Sequence, residues 1–330
     1  MHSKPLRIGL TYDLRDDYLA KGYSLEETAE MDKPETIDCL AAALAALGHQ
    51  AVRIGSAARL VEALAAGERW DLVFNIAEGL FGRGREALVP ALLDAYRIPY
   101  TFSDPLVMAL TLDKALTKTV IQAAGLATAP FALIRGVSEA AEVRLPFPLF
   151  LKPVAEGTGK GISRRSLVES PAALREVAGD LLARFRQPVL AETYLPGREF
   201  TVGLAGSGAE AEVMGLMEVS YTRPDETAAI YSYETKADYE SRVRYTVPRD
   251  AVAAAAAGLA LAAWRVLDGR DAGRIDLRCD AAGRPCFIEV NPLAGLNPVH
   301  SDLPILCRLN GIGYDALVAR IVASALRRQA

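Results

Sequence analysis

Cysteine and histidine are scarce in this sequence. The chain of 330 residues contains four cysteines and three histidines, and no two cysteines form a C-x-x-C pair. A tetrahedral zinc site of nitrogen and sulfur ligands therefore has no suitable ligand set. We expect four reduced thiols, most of them buried.

Concentrated charge and long apolar runs are also missing. The 37 basic and 41 acidic residues are interspersed, which argues against nucleic acid as a partner. The most apolar stretch, Ala251 to Ala263, is shorter than the roughly 20 residues that a membrane span needs. The first residues lack the apolar core of a signal peptide. We therefore expect a cytoplasmic protein that makes no use of a membrane.

The first third of the chain alternates between strand and helix patterns. Strand-like runs at Leu6–Thr11, Ala51–Ile54 and Asp71–Asn75 are separated by helical spacing at Pro34–Gly48 and Ala57–Ala66. Alternation of this kind predicts a parallel sheet covered by helices, an α/β module that ends near residue 104.

The pattern changes after this module. A helix is predicted over Pro105–Ala124, and the following segment, with a strand at Pro148–Lys152, forms a small α+β module that ends near residue 191. Beyond it, predicted strands flank the alanine-rich helix that begins at Ala251. The polar, tyrosine-bearing stretch at about 220–241 is long for a loop, which predicts a mobile lid.

Acidic and amide side chains cluster on a predicted hairpin near the C-terminus. Arg274 and Asp276 alternate on one strand, Glu289 and Asn291 alternate on the next, and the turn DAAG (280–283) joins them. Pairing of the strands can bring three oxygen donors together beside one arginine, which suits Mg²⁺. A network of surface ion pairs explains these residues equally well when they are taken alone.

Two further motifs have polar chemistry. The glycine-rich turn EGTGKG (156–161) follows Lys152, and its backbone amides can approach phosphate oxygens closely. It does not match the P-loop pattern. Taken alone, the motif is better explained as a flexible turn. Glu192 to Leu195 follows an apolar strand and precedes Glu199, so backbone groups and a carboxylate are available for an adenine edge and a ribose.

The order of these motifs resembles that of the D-alanine–D-alanine ligase family of ATP-grasp enzymes. The matching blocks run through about 230 residues: FN-x-x-x-G-x-x-G (74–82), IPYT (98–101), LDKALTK (112–118), KP-x-x-EGTGKGI (152–162), E-x-x-L-x-G-x-EFTV (192–202), YSYETK (231–236), GRID (273–276), EVN (289–291) and HSDLP (300–304).

The resemblance implies an ATP-grasp fold with an N-terminal pre-ATP-grasp domain. The expected divisions are 1–104, a central subdomain at 105–191 and a C-terminal subdomain at 192–330 that includes the lid. It also implies ATP, two Mg²⁺ ions with Mn²⁺ as a substitute, small-molecule carboxylate and amine substrates, an acyl-phosphate intermediate, and a homodimer formed through the N-terminal module.

The family's site residues are carried over motif by motif. Those on the nucleotide side are Lys114 and Lys152 at the phosphates, Thr158 in the glycine-rich loop, Glu192 and Leu195 at the adenine, and Glu199 at the ribose. The metal ligands are Asp276, Glu289 and Asn291. The remaining matches are Lys236 at the γ-phosphate, Arg274 with the amide of Gly295 at the oxyanion, and His300 with Ser301 on the acceptor side.

Departures from the family pattern concentrate on the substrate side. The N-terminal segment offers no clean equivalent of the glutamate that holds the first substrate's ammonium, and Ala237 stands where a lid tyrosine is expected. The family's histidine in FN-x-x-HG is replaced by Glu78, which can hold a substrate ammonium instead. Pairing of Glu78 with Arg83 or Arg85 is the equal alternative. We interpret Arg83, Arg85, Arg164 and Arg165 as solvated.

The expected function is an ATP-dependent carboxylate–amine ligase. Two alternatives stay open, a nucleotide-binding regulatory protein without turnover and a ligase with a non-amino-acid donor. The presence of Arg274, which binding alone does not need, argues against the regulatory protein.

Overall fold

Three β-sheets organise the chain. The computed structural model describes residues 4–221 and 243–328, and their strands form sheets of three, four and five strands. Most of the predicted lid, together with Lys236, lies outside the described residues.

The first sheet is parallel, with strand order β2-β1-β3, as the alternation predicted. Its apolar residues pack against flanking helices around a core that contains Ile8, Leu10 and Phe74. The elements of this part of the chain are β1 (Arg7–Thr11), α1 (Arg15–Leu19), α2 (Pro34–Ala46), β2 (Gln50–Gly55), α3 (Ala57–Ala65), β3 (Leu72–Asn75) and α4 (Leu88–Ala95).

The predicted helix over 105–124 is wrong in one respect, because the structure breaks it at Asp113. Helix α5 (Pro105–Leu112) ends before this residue, and α6 (Lys114–Ala123) begins after it. Asp113 has extended backbone angles, and its carboxylate accepts hydrogen bonds from the amides of Ala115 and Leu116. An N-cap aspartate thus starts a second helix within a continuous apolar pattern.

The second sheet is antiparallel and has the order β4-β7-β5-β6. One helix covers it, and its residues Leu174, Val177 and Leu181 pack against Leu149 and Leu151 of the sheet. The strand β4 was not predicted from the sequence. The elements are β4 (Phe131–Ile134), β5 (Leu149–Pro153), β6 (Leu167–Val168), α7 (Pro171–Phe185) and β7 (Val189–Thr193).

The third sheet is also antiparallel, with the order β10-β9-β8-β11-β12. The predicted alanine-rich helix packs on it through Trp264, and a Cβ atom on Gly273 would lie 2.6 Å from that ring, so only glycine lets the strand lie this close. The elements are β8 (Glu199–Ala205), β9 (Glu212–Tyr221), β10 (Val243–Thr246), α8 (Ala251–Val266), β11 (Ala272–Cys279) and β12 (Pro285–Asn291).

The chain ends with two helices that return to the first sheet. Helix α9 (Asp302–Leu309) and helix α10 (Tyr314–Arg327) were not predicted, and their apolar residues join the core of the first sheet. The Arg328 side chain donates hydrogen bonds to the Asp271 carboxylate and to the carbonyl of Tyr100. The last two helices therefore share a core with the N-terminal sheet. The division of the chain at residues 104 and 191 stays a prediction.

In the described part of the chain, the length and apolar character of the helices decide whether any could span a membrane, and the state of the cysteines is also clear. There, no single helix has both the length and the apolar character to cross a bilayer, although α9 and α10, bent by 111°, pass such a test as a pair. All four cysteines are free, and three of them are buried, as expected.

Candidate active site

The C-terminal hairpin brings the predicted metal ligands together. Strands β11 and β12 pair antiparallel, so that Asp276 lies opposite Glu289 and Arg274 lies opposite Asn291. Within the sheet, the Asp276 carboxylate accepts hydrogen bonds from the Thr201 hydroxyl at 2.8 Å, from the Asn291 amide at 3.4 Å, and from Arg274. Burial raises the pKa of Asp276, and the Arg274 guanidinium offsets only part of this effect.

Two lysines converge on the same carboxylates. The ammonium nitrogen of Lys114 lies 3.5 Å from Glu289 and donates a hydrogen bond of 2.6 Å to the carbonyl of Glu156. The ammonium nitrogen of Lys152 lies 3.9 Å from Glu289 and 2.9 Å from Glu192. Cations beside paired carboxylates are the arrangement that phosphoryl transfer uses to stabilise phosphate oxygens.

One cavity lies between strand β7 and the hairpin. We call it the β7 cavity, and five predicted nucleotide-side residues line it: Lys152, Thr158, Glu192, Leu195 and Glu199. Leu195 supplies a buried apolar wall, and Glu199 pairs with Arg278 at 3.4 Å. The cavity therefore has an apolar section beside a carboxylate and leads to the lysine and metal-ligand cluster.

A buried ion network supports this cavity. Glu192 lies 2.9 Å from Lys118 and 2.9 Å from Lys152, and Lys118 is wholly buried and also donates to the Thr128 hydroxyl. Burial alone would raise the pKa of Glu192, but the two lysines outweigh it and lower that pKa. Sequence reasoning missed Lys118, although it is the second lysine of the LDKALTK motif.

The glycine-rich loop presents a free hydroxyl at the site. Thr158 has φ of +50° between glycines, and Gly159 and Gly161 have φ of +75°. The Thr158 hydroxyl oxygen is buried and has no hydrogen-bond partner among the described residues. A phosphate oxygen at this point would satisfy the hydroxyl and could receive backbone amides, so the loop fits a nucleotide's phosphates.

A second cavity adjoins the first at the hairpin. We call it the acidic cavity, because carboxyl groups dominate its charged lining: Glu30, Asp32, Glu78, Glu86, Glu156, Glu289 and Asp302. Thr158, Arg274, Glu289 and Asp302 line both cavities. A group bound in one cavity can therefore reach a group bound in the other at the hairpin.

Glu30 anchors the glycine-rich loop and was missed by sequence reasoning. Its carboxylate accepts hydrogen bonds from the Gly157 amide at 2.7 Å and from Arg85 at 3.0 and 3.1 Å, and Lys160 lies at 2.7 Å. The expectation that Arg85 is solvated is wrong, since only 7% of its side chain is exposed. Glu30 belongs to the segment that leads into α2 at Pro34, and no motif in that segment singles it out.

Glu78 lines the acidic cavity without pairing to either proposed arginine. Arg83 bonds to Asp113 at 2.7 Å, while the guanidinium of Arg85 bonds to Glu30. Within the described residues, Glu78 has no cation at ion-pair distance. Burial, together with the nearby charge of Glu86, raises the pKa of Glu78 well above its usual range.

The acceptor-side residues line the acidic cavity too. Gly295, His300 and Ser301 follow β12, and the Ser301 hydroxyl accepts a hydrogen bond from the Asn297 amide at 3.0 Å. A Cβ atom on Gly295 would lie 2.8 Å from that hydroxyl oxygen, so this loop is closely packed. Lys236 is the predicted site residue whose position is outside the described residues.

The donor set at the hairpin fits Mg²⁺. Asp276 and Glu289 supply carboxylate oxygens and Asn291 supplies an amide oxygen, the ligands that this hard cation prefers. In the described residues, no three His, Cys, Asp or Glu side chains are grouped to hold a metal ion by themselves. Such a site needs phosphate oxygens and water to complete it, as is usual for Mg²⁺ in phosphoryl-transfer enzymes.

Comparison with known proteins agrees with this geometry. A family profile described as the D-ala D-ala ligase C-terminus matches residues 120–323. The D-alanine–D-alanine ligase of Bordetella petrii is 35% identical over 271 residues, which cover 81% of this chain and 78% of that protein. This chain belongs to the D-alanine–D-alanine ligase family. An uncharacterized protein of Sinorhizobium fredii, y4sG, is 33% identical over 260 residues, 78% of this chain and 75% of that protein.

Solved structures confirm the predicted fold. The D-alanine–D-alanine ligase of Bacillus anthracis complexed with ATP superposes with a TM-score of 0.71 at 19% identity, and 98% of each chain is covered. At this identity the likeness concerns the fold, which is ATP-grasp. Membership of the family indicates an ATP-dependent ligase that forms C–N bonds.

Proposed function

We propose that this ligase joins a small carboxylic acid to an amine through an acyl phosphate. The observation that carries the proposal is that the two cavities meet at Arg274 and Glu289, beside Asp276. A nucleotide in the β7 cavity and a carboxylate in the acidic cavity would face each other there. Both the transferring phosphoryl group and its acceptor would lie among cations.

The β7 cavity takes the nucleotide in this proposal. Glu192 and Leu195 lie at the adenine, and Glu199 lies at the ribose. Lys152 and the Thr158 hydroxyl face the phosphates, with Lys114 beside Glu289. Asp276, Glu289 and Asn291 hold Mg²⁺, which when bound neutralises charge on the outer phosphate oxygens.

The reaction has two steps. A carboxylate oxygen of the donor attacks the γ-phosphorus of ATP, and the bond to ADP breaks. The nitrogen of the deprotonated amine then attacks the acyl carbon, and phosphate leaves. An oxyanion forms when the amine attacks and lasts until phosphate leaves. Arg274 and the amide of Gly295 stabilise it, as positioned hydrogen-bond donors do in acyl transfer.

The substrates are placed by the acidic cavity. Glu78 holds the ammonium of the amino-acid donor, and Ser301, supported by His300, contacts the carboxylate of the acceptor. Relatives of this chain are named for joining D-alanine to D-alanine. Because the departures from the family lie on this side, we propose a ligase for amino acids in which D-alanine is one candidate among several. Homodimerisation and a cytoplasmic location also stay predictions.

Coupled release of ADP tests the proposal. Purified protein with ATP and Mg²⁺ is assayed with D- and L-amino acids, singly and in pairs, and hydroxylamine is added to trap an acyl phosphate as a hydroxamate. We expect ADP release that depends on an amino acid, with a hydroxamate formed from the donor. Activity with D-alanine alone would assign the synthesis of D-alanyl-D-alanine to this chain. ATP binding without ADP release from any pair would support a regulatory protein. Isotope exchange within ATP with other carboxylic acids would reveal a donor that is not an amino acid.

A further inference from the structure

The part of the acidic cavity formed by the N-terminal half of the chain contains more carboxyl groups than directly paired cations. Its acidic residues are Glu30, Asp32, Glu78, Glu86 and Glu156. The cations on this side are Arg15, Lys33, Arg85, Lys114 and Lys160. Which carboxyl group each cation contacts decides where negative charge remains for a ligand.

Most of these cations are already engaged. Lys160 lies 2.7 Å from Glu30 and 2.5 Å from Glu156, so the two carboxylates share its single positive charge. Lys114 lies 3.5 Å from Glu289 and donates a hydrogen bond of 2.6 Å to the carbonyl of Glu156. Arg85 donates two hydrogen bonds to Glu30 and one of 3.0 Å to the carbonyl of Ala155.

The other two cations do not reach the centre of the cluster. Arg15 donates hydrogen bonds to the carbonyls of Thr28, Ala29 and Met31, and thereby braces the loop before α2. Lys33 is exposed at the rim of the cavity. Among the described residues, neither side chain forms an ion pair with Glu78 or Glu86.

Glu78 and Glu86 are thus left without a full counter-charge. The Glu86 side chain is 11% exposed, accepts no hydrogen bond from the described residues, and lies 3.8 Å from Arg85, which also bonds to Glu30. Glu78 has no ion pair there at all. Burial raises the pKa of both carboxyl groups; neighbouring acids add to this effect, and Arg85, with Lys114 and Lys160 near Glu86, offsets only part of it. Buried carboxyl groups in this position favour a ligand that brings positive charge.

We propose that the amino-acid donor of this ligase has a second cationic group, as diamino and guanidino acids do. The inference rests on the proposed function, in which the α-carboxylate lies at the hairpin and the α-ammonium is held by Glu78. A neutral amino acid would satisfy one carboxyl group and leave Glu86 with the shared Arg85 as its ion-pair partner among the described residues. A side-chain ammonium or guanidinium placed between Glu86 and Glu78 satisfies both by charge-assisted hydrogen bonds.

Pairs of amino acids that differ only in the terminal charge test the proposal. Rates of ADP release are measured for lysine against norleucine and for ornithine against norvaline, as both enantiomers. We expect kcat/KM to be at least tenfold higher for the charged member of a pair. In Glu86→Gln this preference should fall at least tenfold, while the KM for ATP stays unchanged. Glu62→Gln, which removes an exposed carboxylate outside both cavities, is the matched control.

Binding gives a measurement that does not need turnover. Calorimetric titration of lysine and norleucine into the protein with a non-hydrolysable ATP analogue and Mg²⁺ should show tighter binding of lysine, and Glu86→Gln should abolish the difference. Thermal unfolding shows whether that variant is folded. ADP release with neutral amino acids at equal or higher efficiency overturns this inference and leaves the proposed function intact. Absence of both ADP release and amino-acid binding overturns both proposals.

Discussion

The β7 cavity pairs its buried Glu192 more completely than the acidic cavity pairs its Glu86. In the β7 cavity, Glu192 lies 2.9 Å from each of two lysines, and Glu199 pairs with Arg278. In the acidic cavity, Glu86 has Arg85 only at 3.8 Å, and that arginine already bonds to Glu30. In the β7 cavity the buried glutamate is paired before a ligand arrives, whereas in our proposal Glu86 of the acidic cavity is left for the ligand to neutralise.

This contrast follows the distribution of family motifs. The blocks that match the D-alanine–D-alanine ligase family supply Lys152, Glu192 and Glu199 to the β7 cavity. The departures supply Glu78 to the acidic cavity. In the proposed function, preorganised groups would suit the nucleotide, and the altered side would suit a substrate that differs from those of the relatives.

The largest expected effect comes from breaking the charge network of the β7 cavity. Lys118→Met leaves Glu192 with one partner in a buried site, so we expect a loss of about 3–5 kcal/mol in the free energy of unfolding. Lys33→Met removes an exposed cation of the acidic cavity and should cost less than about 0.5 kcal/mol. Urea unfolding of both variants measures the difference. Equal losses would remove the contrast between the two cavities.

A smaller effect is expected where the cavities meet. Arg274→Lys keeps a positive charge beside Asp276 and Asp302 but loses the planar guanidinium with its several N–H donors. We therefore expect kcat to fall by about 100-fold. The KM for ATP should change by less than about twofold, because the nucleotide contacts remain. Steady-state kinetics of ADP release gives both constants. Arg265→Lys, on the surface of α8, is the control, and an unchanged kcat in Arg274→Lys would exclude the oxyanion role.

The smallest effect concerns the pH dependence of stability. Burial raises the pKa of Glu86 to about 7, above the value near 4.3 of an unfolded chain. Its stabilising contribution is therefore complete below about pH 4 and is lost as the pH rises towards 7. Glu192, whose pKa is lowered, contributes with the opposite sign, and that contribution is lost as the pH falls below the unfolded value.

Glu86→Gln removes the first of these two terms. Between pH 5 and pH 7, the free energy of unfolding of the variant should decline less steeply than that of the parent chain. The two slopes should differ by at most about 1.4 kcal/mol per pH unit. Urea unfolding at several pH values measures the slopes. Parallel slopes would show that Glu86 does not titrate in this range.

Local patterns were sufficient where a segment's structure depends on its own residues. The parallel first sheet, the alanine-rich helix and the hairpin of β11 and β12 were predicted, because periodicity and turn residues specify them. The break at Asp113 was missed, since a capping side chain interrupts an apolar pattern without changing it. Helices α9 and α10 were missed, and so was their return to the first sheet.

The sequence by itself determined the family, the nucleotide-side motifs and the residues that meet on the hairpin, because alternation along paired strands places side chains on a common face. Only the tertiary structure decided how the remaining charges are paired. Glu30 contacts Gly157, which is 127 residues away, and this contact engages Arg85 and leaves Glu86 with little counter-charge. Ion pairing in a buried site depends on distances across the whole fold, and no spacing along the chain contains them.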